Sequence, residues 1–391
     1  MPHCTRPRLA GAAGSSLPKS DSGSVLKKSL LSLCLLAATS TAQAGGIDRS
    51  QQGLGTLFEK GRHLEISVNR VMPSVKGTDL LGGSTSDVAG DYLLPGLSLK
   101  FDVDNRLSLA IVADQTYGAD ILYGLDSPLL GGTLVDVTAT AALGLARYRF
   151  NEYLSVHGGL RVQNAHATVR LRGLAYGPVS GYEVRLEPDT ASSPVVGIAF
   201  ENPSIALRLA ATYHGATEHM LPTRESAPLV SLNGTSTTSI TTPSAINLDF
   251  QTGIAEDTLL FAQLRWVDWS AFRVAPERFL AVTGEGLIEL KDTRTWTLGL
   301  ARQFSERWAG AIALNYEGKG DPLSSPLAPV NGRHGLTVAA IYQMDANKIT
   351  AGLSFIKLGN ARPETGTPDV QRATMRGNTA IGLGIKLDRC F

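Results

Sequence analysis

The sequence has 391 residues, a formal net charge of +1, 43% hydrophobic and 18% charged residues, with 41 Gly and 19 Pro. So high a hydrophobic share with balanced charge excludes a disordered chain, and abundant Gly with little charge fits neither a helical enzyme nor a coiled coil. Beyond residue 44 no apolar run approaches the roughly 20 residues a helix needs to cross a bilayer, which excludes a multi-span helical membrane protein.

In chain order, Lys27 and Lys28 come first, ahead of the apolar stretch Leu30-Leu31-Ser32-Leu33-Cys34-Leu35-Leu36-Ala37-Ala38. Small residues follow to Ala42-Gln43-Ala44. A positive region, a short greasy core and an A-x-A end describe a secretory signal peptide. Residues 1–44, with an unusual Ser-, Gly- and Pro-rich extension at the front, are expected to leave by cleavage after Ala44. Five basic residues and one acidic residue leave with them, taking the formal charge from +1 to −3. No basic excess remains to point to nucleic acid. Residues 45–62 form a short segment ahead of the first strand.

From residue 63 to 391 the repeated signal is alternation with period two, the mark of a strand with two different faces. Leu97, Leu99 and Phe101 oppose Ser98, Lys100 and Asp102. Leu154, Val156, Leu160 and Val162 oppose Ser155, His157, Arg161 and Gln163. Leu207 and Leu209 oppose Arg208, Thr212 and His214. Ile246, Leu248 and Phe250 oppose Asn247, Asp249 and Gln251. Ile381, Leu383, Ile385 and Leu387 oppose Gly382, Gly384, Lys386 and Asp388. Fourteen such segments lie near 63–76, 90–104, 106–118, 132–150, 153–171, 182–200, 204–219, 239–255, 258–270, 288–304, 308–318, 333–344, 348–358 and 377–391.

The spacers alternate too. Short turns such as Asp104-Asn105, Asn151-Glu152 and Glu256-Asp257 take turns with longer stretches rich in Gly, Pro, Ser and Thr. In hydrocarbon every backbone N–H and C=O must be paired, so only helices and closed barrels can span. The pattern therefore predicts an all-β fold: a 14-stranded antiparallel transmembrane β-barrel with tight turns at one end and longer loops at the other. A secreted soluble β-sandwich is the competing reading, since it also alternates. The terminal Phe391 on an apolar-faced last strand resembles the signal read by the outer-membrane assembly machinery. Trp266, Trp269, Trp296, Trp308, Tyr213, Tyr316, Tyr342 and Phe304 fall near strand ends, which suggests aromatic girdles.

Several stretches resemble the FadL/TodX family of outer-membrane transporters for long-chain fatty acids and hydrocarbons. Gly46-Ile47-Asp48-Arg49-Ser50-Gln51-Gln52 through Phe58-Glu59-Lys60-Gly61 is similar to the hatch ahead of that family's first strand. It is shorter than the usual hatch and lacks its Asn-Pro-Ala element. Asp114-Gln115-Thr116-Tyr117-Gly118-Ala119 resembles the end of the family's third strand. Arg265-Trp266-Val267-Asp268-Trp269-Ser270-Ala271-Phe272 resembles its D-W-S-x-F stretch. The resemblance implies an N-terminal hatch inside the lumen, carrying Asp48, Arg49, Phe58 and Glu59. It also implies passive uptake of hydrophobic small molecules, most of all long-chain fatty acids, across the outer membrane of a Gram-negative bacterium. Release would follow a hatch shift or a lateral opening at strand three. The surrounding partners would be outer-membrane lipids and lipopolysaccharide.

The residues add candidates of their own. Pro95 cannot donate a ladder bond and Gly118 is conformationally free, so Pro95, Tyr117 and Gly118 mark a candidate lateral gate. Alternation puts Lys100, Arg161, Arg208 and Arg265 on the lumen side, where a carboxylate ligand would need a cation; polar lining of a wet lumen is the plainer reading. Leu129, Leu130, Leu221, Leu229 and Leu232 could form an apolar surface in the outer loops. No P-loop, G-x-S-x-G or H-E-x-x-H motif is present, so no catalytic residue, metal or cofactor is expected. A general or selective porin and a lipid-hydrolysing barrel enzyme are the alternatives.

Overall fold

The computed structural model describes residues 47–228, 232–366 and 368–391. The expected leader and Leu229 lie outside them. Among the described residues no helix is long and apolar enough to cross a membrane; strands do the crossing.

The barrel strands are β1 (His63–Ser74), β2 (Tyr92–Asp102), β3 (Leu107–Leu122), β4 (Leu134–Arg149), β5 (Leu154–Leu171) and β6 (Tyr182–Asn202). Then come β7 (Leu207–His214 continued by Thr217–Ser226) and β8 (Gly234–Thr242 continued by Ala245–Ala255). The rest are β9 (Thr258–Val267), β10 (Thr293–Gln303), β11 (Trp308–Glu317), β12 (Arg333–Met344), β13 (Asn347–Leu358) and β14 (Thr379–Cys390). Each is antiparallel to its neighbours, and β14 returns to β1 from His63↔Cys390 to Ser74↔Thr379. First and last strands are joined, which closes the sheet on itself, so this is a transmembrane β-barrel of fourteen strands. Among the described residues the main sheet closes on itself through β14 and β1, and the β-sandwich reading falls.

Alternation decides which face meets lipid. On β14, Ile381, Leu383, Ile385 and Leu387 are exposed while Ala380, Lys386 and Asp388 are buried inside. Exposed Phe101, Tyr148, Phe150, Tyr153, Phe304 and Trp308 ring the end with the short turns; Tyr213, Trp296 and Tyr316 mark the other interface. Trp308 and Tyr316 share β11 eight residues apart, about 26 Å along a strand. Tilted by about 40°, that spans about 20 Å of membrane, close to the apolar band of such barrels. Trp269 belongs to neither girdle. It lies past the end of β9 and is fully buried against Tyr117 and Phe272.

Above the outer girdle the strands invert. On the upper part of β7, Glu218, Met220 and Arg224 point out, while Leu221, Thr223 and Glu225 point in. Val169, Leu171, Tyr182, Val184 and Leu186 likewise turn inward on β5 and β6. Water replaces lipid outside, so the apolar residues move to the inside. Together with Tyr123, Trp269, Phe272, Phe279 and Leu327 from the loops they form a core that caps the barrel.

Candidate functional site

The N-terminal segment runs down inside the barrel, from Asp48 beside Tyr117 to Gly61 beside Asp102 at the end with the short turns. A short 3-10 turn, Gly55–Phe58, seats Leu57 in a cluster with Leu54, Ala110, Leu143, Leu145 and Val195. Burying one such leucine is worth about 2 kcal/mol. Phe58 lies between two guanidiniums, with Arg147 Cζ 4.5 Å and Arg208 Cζ 4.7 Å from its ring centre, and meets His157 edge-on at 5.7 Å.

Every basic residue singled out from the sequence faces the lumen and is tied to this segment or its surroundings. Lys100, fully buried, donates to the Glu59 carbonyl at 2.6 Å, to the Gly61 carbonyl at 3.0 Å and to Asp102 at 2.6 Å. Arg161 donates to Gln52 at 2.8 Å and to the Gly215 carbonyl at 2.6 Å. Arg208 stacks on Phe58 and donates to Gln251. Arg265 clasps both Asp48 oxygens, at 2.7 and 3.3 Å, and donates to Asn247. In this arrangement the four cations are held by, or beside, this lumenal segment, the plug. Asn247, which also donates to the Gln51 carbonyl at 2.9 Å, was not a sequence candidate; its only mark was a polar residue on the inward face of β8.

The wall itself is interrupted. β2 pairs with β1 up to Tyr92, but its ladder to β3 stops at Gly96↔Asp114. Tyr92–Pro95 therefore have no ladder partner on β3. On the facing side β3 carries a bulge between Gln115 and Tyr117. The plug fills the missing place. Asp48 forms an antiparallel bridge with Tyr117, Arg49 N donates to the Thr116 carbonyl at 2.9 Å, and Gly118 N donates to the Ile47 carbonyl at 2.8 Å. Ile47–Arg49 thus occupy the edge of β3 that Tyr92–Pro95 leave unpaired.

Pro95 sits one residue beyond the last pair of that ladder and supplies no N–H there. Gly118 serves by lacking a side chain: a Cβ would fall 2.9 Å from Arg49 Nε and 3.1 Å from the Val137 carbonyl. Arg49 lies with Cζ 3.4 Å from the Tyr92 ring centre. Burial pulls its guanidinium below the ordinary value, while Tyr92 and Asp120 pull the other way. A cavity of about 110 Å³ opens here, lined by Arg49, Leu94, Pro95, Gly96 and Asp114 together with the outward-facing Leu97.

A second, almost wholly apolar cavity of about 70 Å³ lies under the cap, lined by Tyr117, Ala167, Leu186, Leu221, Trp269 and Phe272 among others. Tyr117 and Ile47 of the plug form its lower side, with Gln52 donating to the Tyr117 hydroxyl at 3.3 Å. Of the loop leucines, Leu221 lines this cavity. Leu129, Leu130 and Leu232 are buried in the cap core.

No family model and no curated protein matches the chain. Solved structures do match it. A FadL homologue of Pseudomonas aeruginosa superposes with a TM-score of 0.72 at 14% identity, covering 91% of this chain and 98% of that one. The toluene transporter TodX of Pseudomonas putida gives 0.61 at 13% identity, covering 91% and 98%. The toluene transporter TbuX of Ralstonia pickettii gives 0.60 at 14% identity, covering 90% and 97%. The chain therefore has the fold of the FadL and TodX outer-membrane transporters.

Proposed function

We propose that this protein carries hydrophobic small molecules passively across the outer membrane and releases them sideways through the gap between β2 and β3. One observation carries the reading: the same three residues, Ile47–Arg49, plug the lumen and complete the wall. Withdrawing them would open both at once. A hydrophobic solute gains nothing from entering water below the barrel, whereas a side exit delivers it straight to lipid. The similar structures of the toluene transporters TodX and TbuX support the same class of cargo.

Long-chain fatty acids fall within this class. Their carboxylate would find Lys100, Arg161, Arg208 or Arg265 only after the plug had released them. The apolar cavity is smaller than the roughly 150 Å³ that holds a benzene ring in an engineered core, so its side chains must yield to admit cargo. The test compares accumulation of labelled oleate and labelled toluene by Gram-negative cells with and without the protein. The reading expects faster accumulation of at least one of them, and equal accumulation in both strains contradicts it. A porin would pass ions steadily in a planar bilayer; the plugged lumen predicts a largely closed trace.

A further inference from the structure

The wall has a second interruption. The ladder between β6 and β7 runs from Asn202↔Leu207 to Val195↔His214 and stops. It resumes only from Leu186↔Thr223 to Glu183↔Ser226. Beyond one bond from Gly215 N to the Pro194 carbonyl at 2.8 Å, residues 187–193 and 216–222 have no ladder to each other, although β6 stays paired with β5 through Asp189↔Ala165 and β7 with β8 through Met220↔Ser239. Pro188, Pro194 and Pro222 sit on the two edges, and proline has no N–H to give. In hydrocarbon such a gap would strand backbone groups. This one begins just past Tyr213, at the outer girdle, where water can serve them.

Side chains bridge the gap in place of the ladder. Asp189 Oδ2 meets His219 Nδ1 at 3.0 Å and accepts from Met220 N at 3.3 Å, and Arg224 reaches Glu187 at 3.6 Å. His219 is fully buried and also meets Gln163 at 3.2 Å, while Asp189 is partly exposed, so the pair spans the wall from inside to outside. Directly behind it lies the apolar cavity. Leu186, His219 and Leu221 line the cavity and also edge the gap. Trp269, Phe272 and Leu327 of the cap and Ile47 and Tyr117 of the plug and β3 line its other sides.

We infer that the gap between β6 and β7 is an entry portal for neutral hydrophobic molecules, latched by Asp189 and His219 and leading into the cavity under the cap. This rests on the transport reading above and adds the way in and the charge of the cargo. No Lys or Arg lines the cavity, and both ring nitrogens of His219 are already taken by Asp189 and Gln163, so a carboxylate there would meet no fixed positive charge. A neutral molecule such as an aromatic hydrocarbon suffers no such cost. Cargo would enter at the level of the outer headgroups, pass Tyr117 and leave through the gap between β2 and β3.

The test clamps the portal. Asp189→Cys and Met220→Cys, with Cys390→Ser, are joined by a short cleavable bifunctional thiol reagent. Met220→Cys with Ser239→Cys, across the intact β7–β8 ladder at the same height, is the control. Loss of labelled toluene accumulation in the first clamped variant, restored by cleaving the reagent and absent from the control, is the expected result. Undiminished accumulation with the clamp in place overturns the portal while leaving transport standing. Failure of the unmodified protein to promote accumulation would instead overturn the transport reading. Asp189→Ala gives a second readout should the paired variant not assemble. Removing the latch is expected to speed toluene accumulation, and a wild-type rate contradicts the inference.

Discussion

Arg265 and Asp48 form the contact on which the plug most depends. Arg265 is fully buried and Asp48 only partly so, and removing one partner leaves the other charge uncompensated, at a cost below the about 3–5 kcal/mol of a fully buried pair. Arg265→Ala should therefore loosen the plug, giving frequent channel openings in a planar bilayer; a trace as quiet as wild type would show that the pair does not hold it. Gly118→Val should act at the same place by pushing Arg49 off β3, seen as greater access of a thiol reagent to Ser50→Cys; unchanged access would count against that contact. At the cap, burial together with Asp369, Glu285 and Glu289 pushes the Glu364 carboxyl up to about 7, with Arg372 pulling the other way. A raised carboxyl pKa means the folded state holds the proton more tightly than the unfolded chain. Its contribution is complete below the ordinary glutamate value and is lost as pH rises through 7. Tryptic cleavage after Arg372 should speed up between about pH 5 and about pH 8 beyond the enzyme's own pH response, and Glu364→Gln should remove that excess. An identical excess in the variant would contradict it. Alternation alone put Lys100, Arg161, Arg208 and Arg265 on the lumen side. What each one touches was not legible, because the plug follows no repeating pattern from which its path could be read.

The strands themselves were readable because lipid outside and polar groups inside impose a two-residue period on nearly every one. The segment expected at 153–171 is β5 at Leu154–Leu171, and that at 333–344 is β12. β7 and β8 were read short, as 204–219 and 239–255, for a physical reason. Each shifts phase at a break, Gly215-Ala216 in one and Pro243-Ser244 in the other, and each then inverts polarity above the membrane. A rule that expects apolar-out fails where water lies outside. Trp269 misled for a related reason: a tryptophan near a strand end suits a girdle, but this one lies past β9 and turns into the cap. The plug is the element whose removal should change most. Deleting residues 47–58 should yield a barrel that still folds, because the fourteen-strand ladder does not pass through them, but conducts ions steadily. Heat-modifiable migration checks the fold and bilayer recording checks the current. A deleted form that stays closed would mean the cap, not the plug, seals the lumen.

At the scale of the whole molecule, a closed ladder satisfies the backbone in the membrane, and the two places where that ladder lapses, β2–β3 and β6–β7, each adjoin a cavity. Barrel closure needs only the alternation and the turn rhythm, so it was legible in the sequence. The lapses depend on which neighbour a strand fails to pair with, and a single strand's sequence does not carry that information. The gap between β2 and β3 is the more consequential of the two, since the plug itself occupies it. Asp48 and Tyr117 face each other there in an antiparallel bridge, a spacing of about 4.5–5.5 Å between Cα atoms that a disulfide can span. Asp48→Cys with Tyr117→Cys, in a chain carrying Cys390→Ser, locks the plug to the wall when oxidised and frees it when reduced. Accumulation of a labelled hydrophobic cargo by cells carrying this variant should stop under oxidation and resume on reduction; equal accumulation in both states would contradict release through the wall.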